Sequence, residues 1–204
     1  MKQPEVIDIL KNVLNFSDES ITKLKIYVDL VLKENKRFNL IAKSTETQIW
    51  DRHILDSAQI VKFINFKANS AADLGSGAGF PGLVVEIFNK NKDFHVKLYE
   101  KSPVKRKFLG RAIKELRLNA VVCGDIKHEI LDADIIVCRA FKRLNHIIQV
   151  SREIAKKPHK LMILKGQNAQ EEIEKCLKNQ KFSYKLETSM TNSKSKIILM
   201  EVLA

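Results

Sequence analysis

Residues 71–82, Ala71-Ala72-Asp73-Leu74-Gly75-Ser76-Gly77-Ala78-Gly79-Phe80-Pro81-Gly82, decide the fold of this chain. Four of its seven glycines lie here within eight residues, after a small apolar segment and before the apolar-rich run 83–88. The order predicts a strand, a tight turn and a helix, because glycine takes positive φ freely and lets a ligand approach the backbone. Pro81 or Gly82 would begin the helix, whose free N–H groups favour a polar or anionic ligand group.

The glycine spacing limits the kind of ligand that this turn can hold. Gly75-x-Gly77-x-Gly79 differs from the dinucleotide pattern G-x-G-x-x-G, so a pyrophosphate is not the expected ligand. A glycine-rich turn can also be no more than a tight connection between a strand and a helix. The rest of the chain has to decide between these two interpretations.

Length, cysteine content and hydropathy restrict the class of protein. The 204 residues suffice for one α/β domain with a modest extension. The chain lacks an apolar run of the roughly 20 residues that a membrane span needs, and its first residues do not resemble a signal peptide. Cys123, Cys138 and Cys176 are odd in number and widely spaced, which indicates reduced thiols and no metal-binding spacing. We expect a soluble, cytoplasmic monomer with neither a metal ion nor a membrane partner.

The net charge of +12 favours a polyanionic partner, with nucleic acid as the first candidate. Lysine outnumbers arginine 28 to 8, however, and isoleucine and asparagine are also plentiful. Part of the charge can therefore reflect a bias in composition rather than a binding surface.

Periodicity divides the chain into a helical extension, residues 1–66, and an α/β domain, residues 67–204. In the extension, Ser17 or Asp18 can cap a helix that runs to about Lys36, and a further helix is expected over 49–63. Strands are expected at 71–74, 94–99, 120–123, 133–138, 161–164, 182–186 and 196–203. Helices are expected after Pro81, from Pro103 with Ser102 as its cap and with Val104, Phe108, Ala112 (or Ile113) and Leu116 buried, at 144–155 and at 171–177.

This alternation predicts a doubly wound, mostly parallel seven-stranded sheet with helices on both faces. The two last strands have no helix between them and should pair antiparallel. In such sheets the ligand binds at the carboxyl ends of the strands, where the strand order reverses. Glu100 follows the second strand 21 residues after Gly79, and a carboxylate there can accept hydrogen bonds from both ribose hydroxyls; the alternative is a solvated acid beside Lys101. Asp125 follows the third strand and can accept from an adenine amino group, or belong to an ordinary Gly-Asp turn.

The motifs of this chain resemble those of a known family. An acid followed by G-x-G-x-G, as in 73–79, is typical of Rossmann-like S-adenosylmethionine-dependent methyltransferases. Five further segments occur in one order and resemble the bacterial 16S ribosomal RNA guanine-N7 methyltransferases, also called glucose-inhibited division protein B. These segments are Arg52-His53-Ile54-Leu55-Asp56-Ser57, Gly79-Phe80-Pro81-Gly82, Lys105-Arg106-Lys107-Phe108-Leu109, Arg139-Ala140-Phe141 with Leu144, and Leu164-Lys165-Gly166.

The resemblance implies methyl transfer from S-adenosylmethionine to N7 of one guanine in 16S ribosomal RNA, as naked RNA or within the small ribosomal subunit. By motif match it places Gly75, Phe80, Ile126, Lys127 and Arg139 around the cofactor, although Lys127 stands where other members often carry an acid. With the residues argued above, the expected cofactor-binding set is Asp73, Gly75, Gly77, Gly79, Phe80, Glu100, Asp125, Ile126, Lys127 and Arg139. The expected substrate-binding set is Arg52, His53, Lys105, Arg106 and Lys165.

The chemistry of N7 agrees with motifs that the sequence lacks. N7 carries an in-plane lone pair and no proton, so its methylation requires alignment and electrostatics rather than a general base. Residues 137–141 lack both the Asn/Asp-Pro-Pro-aromatic motif of amino-group methyltransferases and the Pro-Cys of enzymes that methylate cytosine C5. We interpret Cys138 as a buried, small apolar residue.

Arg139 is the residue that we expect to be catalytic. It ends an apolar strand, and its guanidinium can bind the methionine carboxylate or guanine O6. The alternative is a salt bridge to an acid such as Asp73. Arg52, His53 and Asp56 lie about one helical turn apart and can face the same crevice, or His53 can be structural.

Some of the basic residues around the helix at 103–116 are expected to contact phosphate, and the remainder to form a solvated face. Phe80 and Phe141 can stack on bases or cofactor, or belong to the core. Two alternative functions stay open at this point: methyl transfer to a protein or small molecule, and a non-catalytic RNA-binding assembly factor on the same scaffold.

Overall fold

A seven-stranded sheet with the order β3-β2-β1-β4-β5-β7-β6 forms the centre of the computed structural model, which describes residues 1–139, 143–177 and 183–203. Its strands are β1 (Ser70–Leu74), β2 (His95–Tyr99), β3 (Ala120–Cys123), β4 (Ile135–Arg139), β5 (His159–Lys165), β6 (Tyr184–Thr188) and β7 (Lys196–Val202). β1 to β5 pair in parallel, whereas β7 pairs antiparallel with both β5 and β6. This confirms the predicted doubly wound, mostly parallel sheet with an antiparallel end.

Helices cover both faces of the sheet. The α-helices are α1 (Gln3–Asn12), α2 (Asp18–Asn35), α3 (Asp56–Ala58), α4 (Gly82–Phe88), α5 (Pro103–Leu116), α6 (Leu144–Ile154) and α7 (Ala169–Leu177). The short 3-10 helices are Lys43–Gln48, Gln59–Phe63 and Ile126–His128, and Trp50–Leu55 forms a π-helix. Among the described residues, no helix is long and apolar enough to cross a membrane.

Alternating side chains of the central strands build two separate cores. Ile135 and Val137 of β4 pack with the extension, α4 and α5, whereas Ile136 and Cys138 pack with α6 on the other face. Both faces are therefore covered, as parallel strands require. The burial of Cys138 confirms its interpretation as a small apolar residue. The strand order reverses between β1 and β4, so the crevice predicted for a ligand lies at the carboxyl ends of these two strands.

Hydrogen bonds connect the helical extension to the α/β domain. The hydroxyl of Ser20 donates to the carbonyl of Ile87 at 2.8 Å, and the hydroxyl of Tyr27 donates to the carbonyl of Ala78 at 2.6 Å. Ser17 caps α2 by accepting from the backbone N–H of Ser20, as the sequence predicts. The extension thus supports the glycine turn directly, while the boundary at residue 66 stays a prediction.

Some predicted boundaries are wrong. The segment 49–63 is not one regular helix but passes through π, α and 3-10 geometry. β4 begins at Ile135, two residues later than expected, and ends at Arg139. Phe141 and Phe182, the former expected to stack on a ligand and the latter to begin β6, lie outside the described residues.

The predicted buried face of α5 is wrong at one position. Val104 is 41% exposed, and Leu109 takes part in the core instead. Positions four apart drift by about 40° around a helix, so three such steps turn Val104 about 120° away from Leu116. Leu109, seven residues from Leu116, stays within about 20° of it.

Candidate active site

The glycine turn between β1 and α4 has the backbone geometry that its composition predicts. Gly75, Gly77 and Gly79 have φ values of 72°, 60° and 101°, in the left-handed region. The N–H groups of Gly75 and Ser76 donate to the carbonyl of Tyr99 at 2.9 and 3.0 Å, which ties the turn to the end of β2. A β-carbon at Gly79 would lie 2.8 Å from the hydroxyl of Tyr27, so space as well as φ requires glycine there.

Asp73 lies beneath this turn. It is fully buried, and its Oδ2 accepts from the N–H of Gly82 at 3.0 Å. Burial raises the pKa of this carboxyl to about 7, against opposing contributions from the Gly82 bond and the Arg139 charge. Asp73 therefore accepts a hydrogen bond from the first residue of α4. Its predicted contact with a cofactor stays a prediction.

Glu100 is held at the end of β2 by the backbone. It is 7% exposed, so the alternative of a solvated acid is wrong. Its Oε2 accepts from the N–H of Gly77 at 2.9 Å and its Oε1 from the N–H of Ser102 at 2.8 Å. Each carboxylate oxygen has two lone pairs, so both can accept a further hydrogen bond from a ligand hydroxyl.

Asp125 ends the loop after β3. Its carboxylate accepts from the N–H of Lys127 at 3.1 Å and caps the 3-10 helix Ile126–His128. The side chain of Ile126 is buried beneath the loop, whereas Lys127 is exposed. The three residues thus occupy the same edge of the sheet as the glycine turn and Glu100, because β3 runs parallel to β2.

Arg139 projects from the end of β4 into a set of acceptors from the extension. Its Nη1 donates to the carbonyl of Arg52 at 3.0 Å and to Oδ2 of Asp56 at 3.2 Å, and its Nη2 donates to Nδ1 of His53 at 2.9 Å. The guanidinium carbon lies 5.1 Å from the centre of the Phe80 ring. The acid that pairs with Arg139 is therefore Asp56, not Asp73 as the sequence-based alternative proposed.

These bonds use three of the five guanidinium N–H groups. Within the described residues, the remaining two have no hydrogen-bond partner. Arg139 is therefore fixed on the side of the extension and keeps donors for a ligand.

The π-helix explains why a backbone carbonyl is available to Arg139. The N–H of Asp56 bonds to the carbonyls of Asp51 and His53, whereas an α-helix would direct it to the carbonyl of Arg52, four residues back. The Arg52 carbonyl accepts from Arg139 instead. π-Turns are frequent at functional sites, and this one supplies an acceptor to the crevice.

His53 is a neutral acceptor for Arg139. Because arginine can only donate, Nδ1 of His53 must be unprotonated, and its Nε2–H then donates to the hydroxyl of Thr45 at 2.8 Å. Burial, followed by the charges of Arg139 and Arg52, lowers the pKa of His53 to about 3. The ring also packs on Phe80, with centres 5.1 Å apart.

A cavity of about 530 Å³ opens beside Arg139 at the carboxyl ends of β4 and β5. It brings together Arg52, His53 and Lys165 of the expected substrate-binding set, but not Lys105 or Arg106. Hydroxyl and amide side chains from the β5–α7 and β6–β7 connections complete its wall. They are Gln167, Asn168, Ser189, Thr191, Asn192 and Ser195.

Lys105 and Arg106 lie instead at the start of α5. Arg106 Nη1 donates to the carbonyls of Glu100 and Lys101 at 2.9 and 2.7 Å, so this residue closes the β2–α5 turn. Lys165 forms a 2.8 Å ion pair with Glu172 at the margin of the cavity. The cofactor edge, formed by the glycine turn, Glu100 and Asp125, is thus separate from the cavity and meets it at Arg139, which lines the cavity and packs over Phe80 of the turn.

Comparison with known proteins decides the family. A family model described as GidB, rRNA small subunit methyltransferase G, matches residues 20–200. The chain belongs to this family. It is therefore a methyltransferase that depends on S-adenosylmethionine, and the resemblance inferred from the motifs is confirmed.

Relatives named ribosomal RNA small subunit methyltransferase G cover most of the chain. The protein of Pelagibacter ubique is 34% identical over 193 residues, spanning 92% of this chain and 90% of its own length. The protein of Orientia tsutsugamushi (strain Ikeda) is 36% identical over 200 residues, spanning 97% of this chain and 98% of its own. These two relatives thus align with the chain over at least nine-tenths of its length.

Solved structures confirm the Rossmann-like fold. A SAM-dependent methyltransferase from Aquifex aeolicus superposes with a TM-score of 0.58 at 14% identity, covering 74% of this chain and 91% of its own. M. jannaschii TYW2 in complex with AdoMet superposes with a TM-score of 0.53 at 15% identity, covering 73% of this chain and 74% of its own.

Sequence reasoning missed part of the site. The sequence places Asp56 beside Arg52 and His53 without indicating its role, and our sequence analysis does not predict a part for Gln59 or Thr191. The sequence does carry a signal for Gln59, because it is the one polar residue in the otherwise apolar segment 58–61. Thr191 lies in a polar loop whose sequence carries no comparable signal.

Proposed function

We propose that this protein transfers the methyl group of S-adenosylmethionine to N7 of a specific guanine in 16S ribosomal RNA, acting in the cytoplasm as a monomer. One observation carries the proposal: Arg139 packs over Phe80 of the glycine turn and also lines the 530 Å³ cavity. A single guanidinium thus borders both the cofactor edge and a space large enough for a nucleobase. Membership of the methyltransferase G family supports the ribosomal RNA substrate.

The residues at the cofactor edge fit a nucleoside that carries an amino-acid tail. Bound S-adenosylmethionine supplies a methyl group on a positively charged sulfonium. Gly75, Gly77 and Gly79 let this ligand approach the backbone, and the spare lone pairs of Glu100 accept from the ribose hydroxyls. The two remaining N–H groups of Arg139 match the methionine carboxylate.

The adenine end is assigned to the loop after β3. Asp125 accepts from the adenine amino group through the oxygen lone pairs that its bond to Lys127 leaves available. Ile126 provides apolar contact from beneath. Lys127 is exposed and is assigned only a backbone contact, since its side chain stands where an acid is common in the family.

The 530 Å³ cavity is assigned to the target guanosine. Arg52 and Lys165 at its margin provide positive charge for the RNA backbone, and the surrounding hydroxyl and amide groups can pair with base edges. Bound S-adenosylmethionine would supply the methyl group, and these residues would align the lone pair of guanine N7 with it. The positive charge moves to the guanine, so no proton has to be removed.

His53 is excluded as a general base by its surroundings. Its Nδ1 already accepts from Arg139, and its pKa of about 3 keeps it neutral without making it an effective proton acceptor. The site therefore acts by alignment and electrostatics, as the chemistry of N7 allows.

The basic start of α5 is assigned to phosphate contacts away from the target base. Lys105 forms no ion pair within the described residues and is assigned to this role, whereas Arg106 also keeps the β2–α5 turn closed. Such contacts predict that RNA binding weakens steeply with salt, and a flat salt profile would count against them.

A methylation assay with labelled S-adenosylmethionine tests the function. Small ribosomal subunits and naked 16S RNA, both prepared from cells that lack this protein, are incubated separately with it. Mass mapping of the RNA should locate one added methyl group on N7 of a single guanine. A methyl group on an amino nitrogen, on another base or on protein would overturn the proposal.

A further inference from the structure

We propose that Asp56 is a positioning residue that holds Arg139 and the turn of the β6–β7 hairpin in one hydrogen-bonded network. The inference rests on the proposed function only in that Arg139 contacts the cofactor. It assigns a further role to the helical extension, which also supports the glycine turn through Tyr27.

The two oxygens of Asp56 face different parts of the molecule. Oδ2 accepts from Arg139 Nη1 at 3.2 Å, at the end of β4. Oδ1 accepts from the hydroxyl of Thr191 at 3.3 Å and from the side-chain amide of Gln59 at 3.1 Å. One carboxylate thus connects the extension, the central strand and the hairpin.

The hairpin side of this network is itself anchored. The amide of Gln59, which is fully buried, donates to the hydroxyl of Ser189 at 3.0 Å and accepts from the N–H of Met190 at 2.8 Å. Ser189 and Thr191 share a hydrogen bond of 3.0 Å between their hydroxyls. Because Thr191 donates to Asp56, the proton in that bond comes from Ser189.

Only a carboxylate satisfies all of these partners. Arg139, Gln59 and Thr191 each donate to Asp56, and an aspartate accepts on both oxygens. An asparagine at position 56 would offer one accepting oxygen and one donating NH₂ group. Its NH₂ group would therefore face either Arg139, which can only donate, or Gln59, whose amide also donates to the backbone carbonyl of Asp56 at 2.9 Å; in either orientation the network loses a hydrogen bond.

The first measurable effect of displacing Arg139 should be a lower affinity for S-adenosylmethionine. Asp56→Asn is expected to weaken binding of S-adenosylmethionine by about tenfold to a hundredfold, because a hydrogen bond between charged groups is lost and the guanidinium is held only by Arg52 and His53. Because Asp56 and Arg139 also line the cavity assigned to the guanosine, the KM for the ribosomal substrate is expected to rise as well, and the readout that separates positioning from general destabilisation is the double variant with Arg139→Ala.

Calorimetric titration of the purified full-length protein with S-adenosylmethionine tests the inference without any RNA. Asp132→Asn is the matched control, because it makes the same chemical change at a 67%-exposed carboxylate that pairs with Lys157. It should bind like the wild type. In the double variant with Arg139→Ala, Asp56→Asn should cause no further loss, since its effect passes through that arginine.

A second variant keeps the test decisive if Asp56→Asn does not fold. Thr191→Val removes one hydroxyl that steadies Asp56 and should weaken cofactor binding by about twofold to fivefold. Wild-type affinity in a folded Asp56→Asn protein, or in Thr191→Val, would overturn the inference. A wild-type protein that binds S-adenosylmethionine but does not methylate 16S RNA would instead overturn the proposed function and leave this inference standing.

Discussion

The glycine turn and the Arg139 cluster form two halves of one site, and they are built in opposite ways. The turn is a backbone structure within residues 75–82, in which three glycines adopt positive φ. The cluster is a side-chain structure in which Arg139 binds partners 83 to 87 residues earlier in the chain. The first half depends on the identity of adjacent residues, and the second on how distant elements pack.

The comparison predicts different kinds of sensitivity. In the turn, an added methyl group should cause damage through sterics and φ. In the cluster, loss of one hydrogen-bond donor or acceptor should reduce activity while the backbone conformation stays the same. The following variants test this difference, from the largest expected effect to the smallest.

Arg139→Ala should abolish methylation, with a loss in kcat/KM of about a thousandfold or more, because the donors that border both ligands are removed. The fold should survive, since Asp56 keeps its bonds to Gln59 and Thr191. Methyl transfer to small subunits and thermal unfolding measure the two effects. Arg37→Ala, at an arginine whose side chain is 70% exposed, is the matched control, because its partner Glu34 keeps the shorter ion pair with Arg111. Near-normal turnover by Arg139→Ala would remove this residue from the site.

Gly79→Ala should destabilise the fold by about 3 kcal/mol and remove cofactor binding. Its β-carbon would meet Leu83 at 2.6 Å and the Tyr27 hydroxyl at 2.8 Å, at a φ of 101°. Gly77→Ala is the matched control, because its φ is 60° but the nearest atom is 3.9 Å away. It should cost only about 1 kcal/mol in urea unfolding. Equal costs would mean that φ alone, and not packing against the extension, makes the turn sensitive.

Asp73→Asn should change how stability depends on pH. The folded pKa of about 7 lies above the ordinary value of 3.8, so the folded state binds more protons between these values. The stability contributed by this group is therefore present below about pH 4 and is lost as pH rises through 7.

Asparagine keeps an acceptor for Gly82 but carries no charge, so Asp73→Asn should raise Tm relative to the wild type by roughly 5 °C at pH 8 and by much less at pH 5. Glu86, whose pKa is also raised to about 7 by burial, titrates in both proteins and cancels in the difference. A Tm difference that does not vary with pH would contradict burial of an ionisable Asp73.

Tyr27→Phe should have the smallest effect, a loss of about 1 kcal/mol, because it leaves the buried carbonyl of Ala78 without its donor. Cofactor affinity should fall with stability, since that carbonyl belongs to the glycine turn. Tyr184→Phe, at a 43%-exposed tyrosine of β6, should leave both unchanged. If Tyr27→Phe leaves cofactor affinity unchanged, the turn is independent of the extension.

Prediction from sequence succeeded where the information is local. The cap at Ser102, the glycine turn and the alternation of strands and helices all depend on residues within a few positions of each other. The position of Glu100 at the end of β2 agrees with the prediction, because it depends only on where the strand ends, while its contact with ribose stays a prediction. The partner of Arg139 was not, since the π-turn that frees the Arg52 carbonyl has no sequence signal comparable to a glycine.

By itself, then, the sequence determined the α/β class, the glycine turn and the family, because backbone conformation and the order of strands follow from short-range preferences. Only the tertiary structure decided that Asp56 pairs with Arg139, that Thr191 joins them, and that Arg106 closes a turn rather than lining the cavity. Hydrogen bonds between side chains form across whatever elements packing brings together. Packing of the extension against the sheet therefore decided the second half of the site.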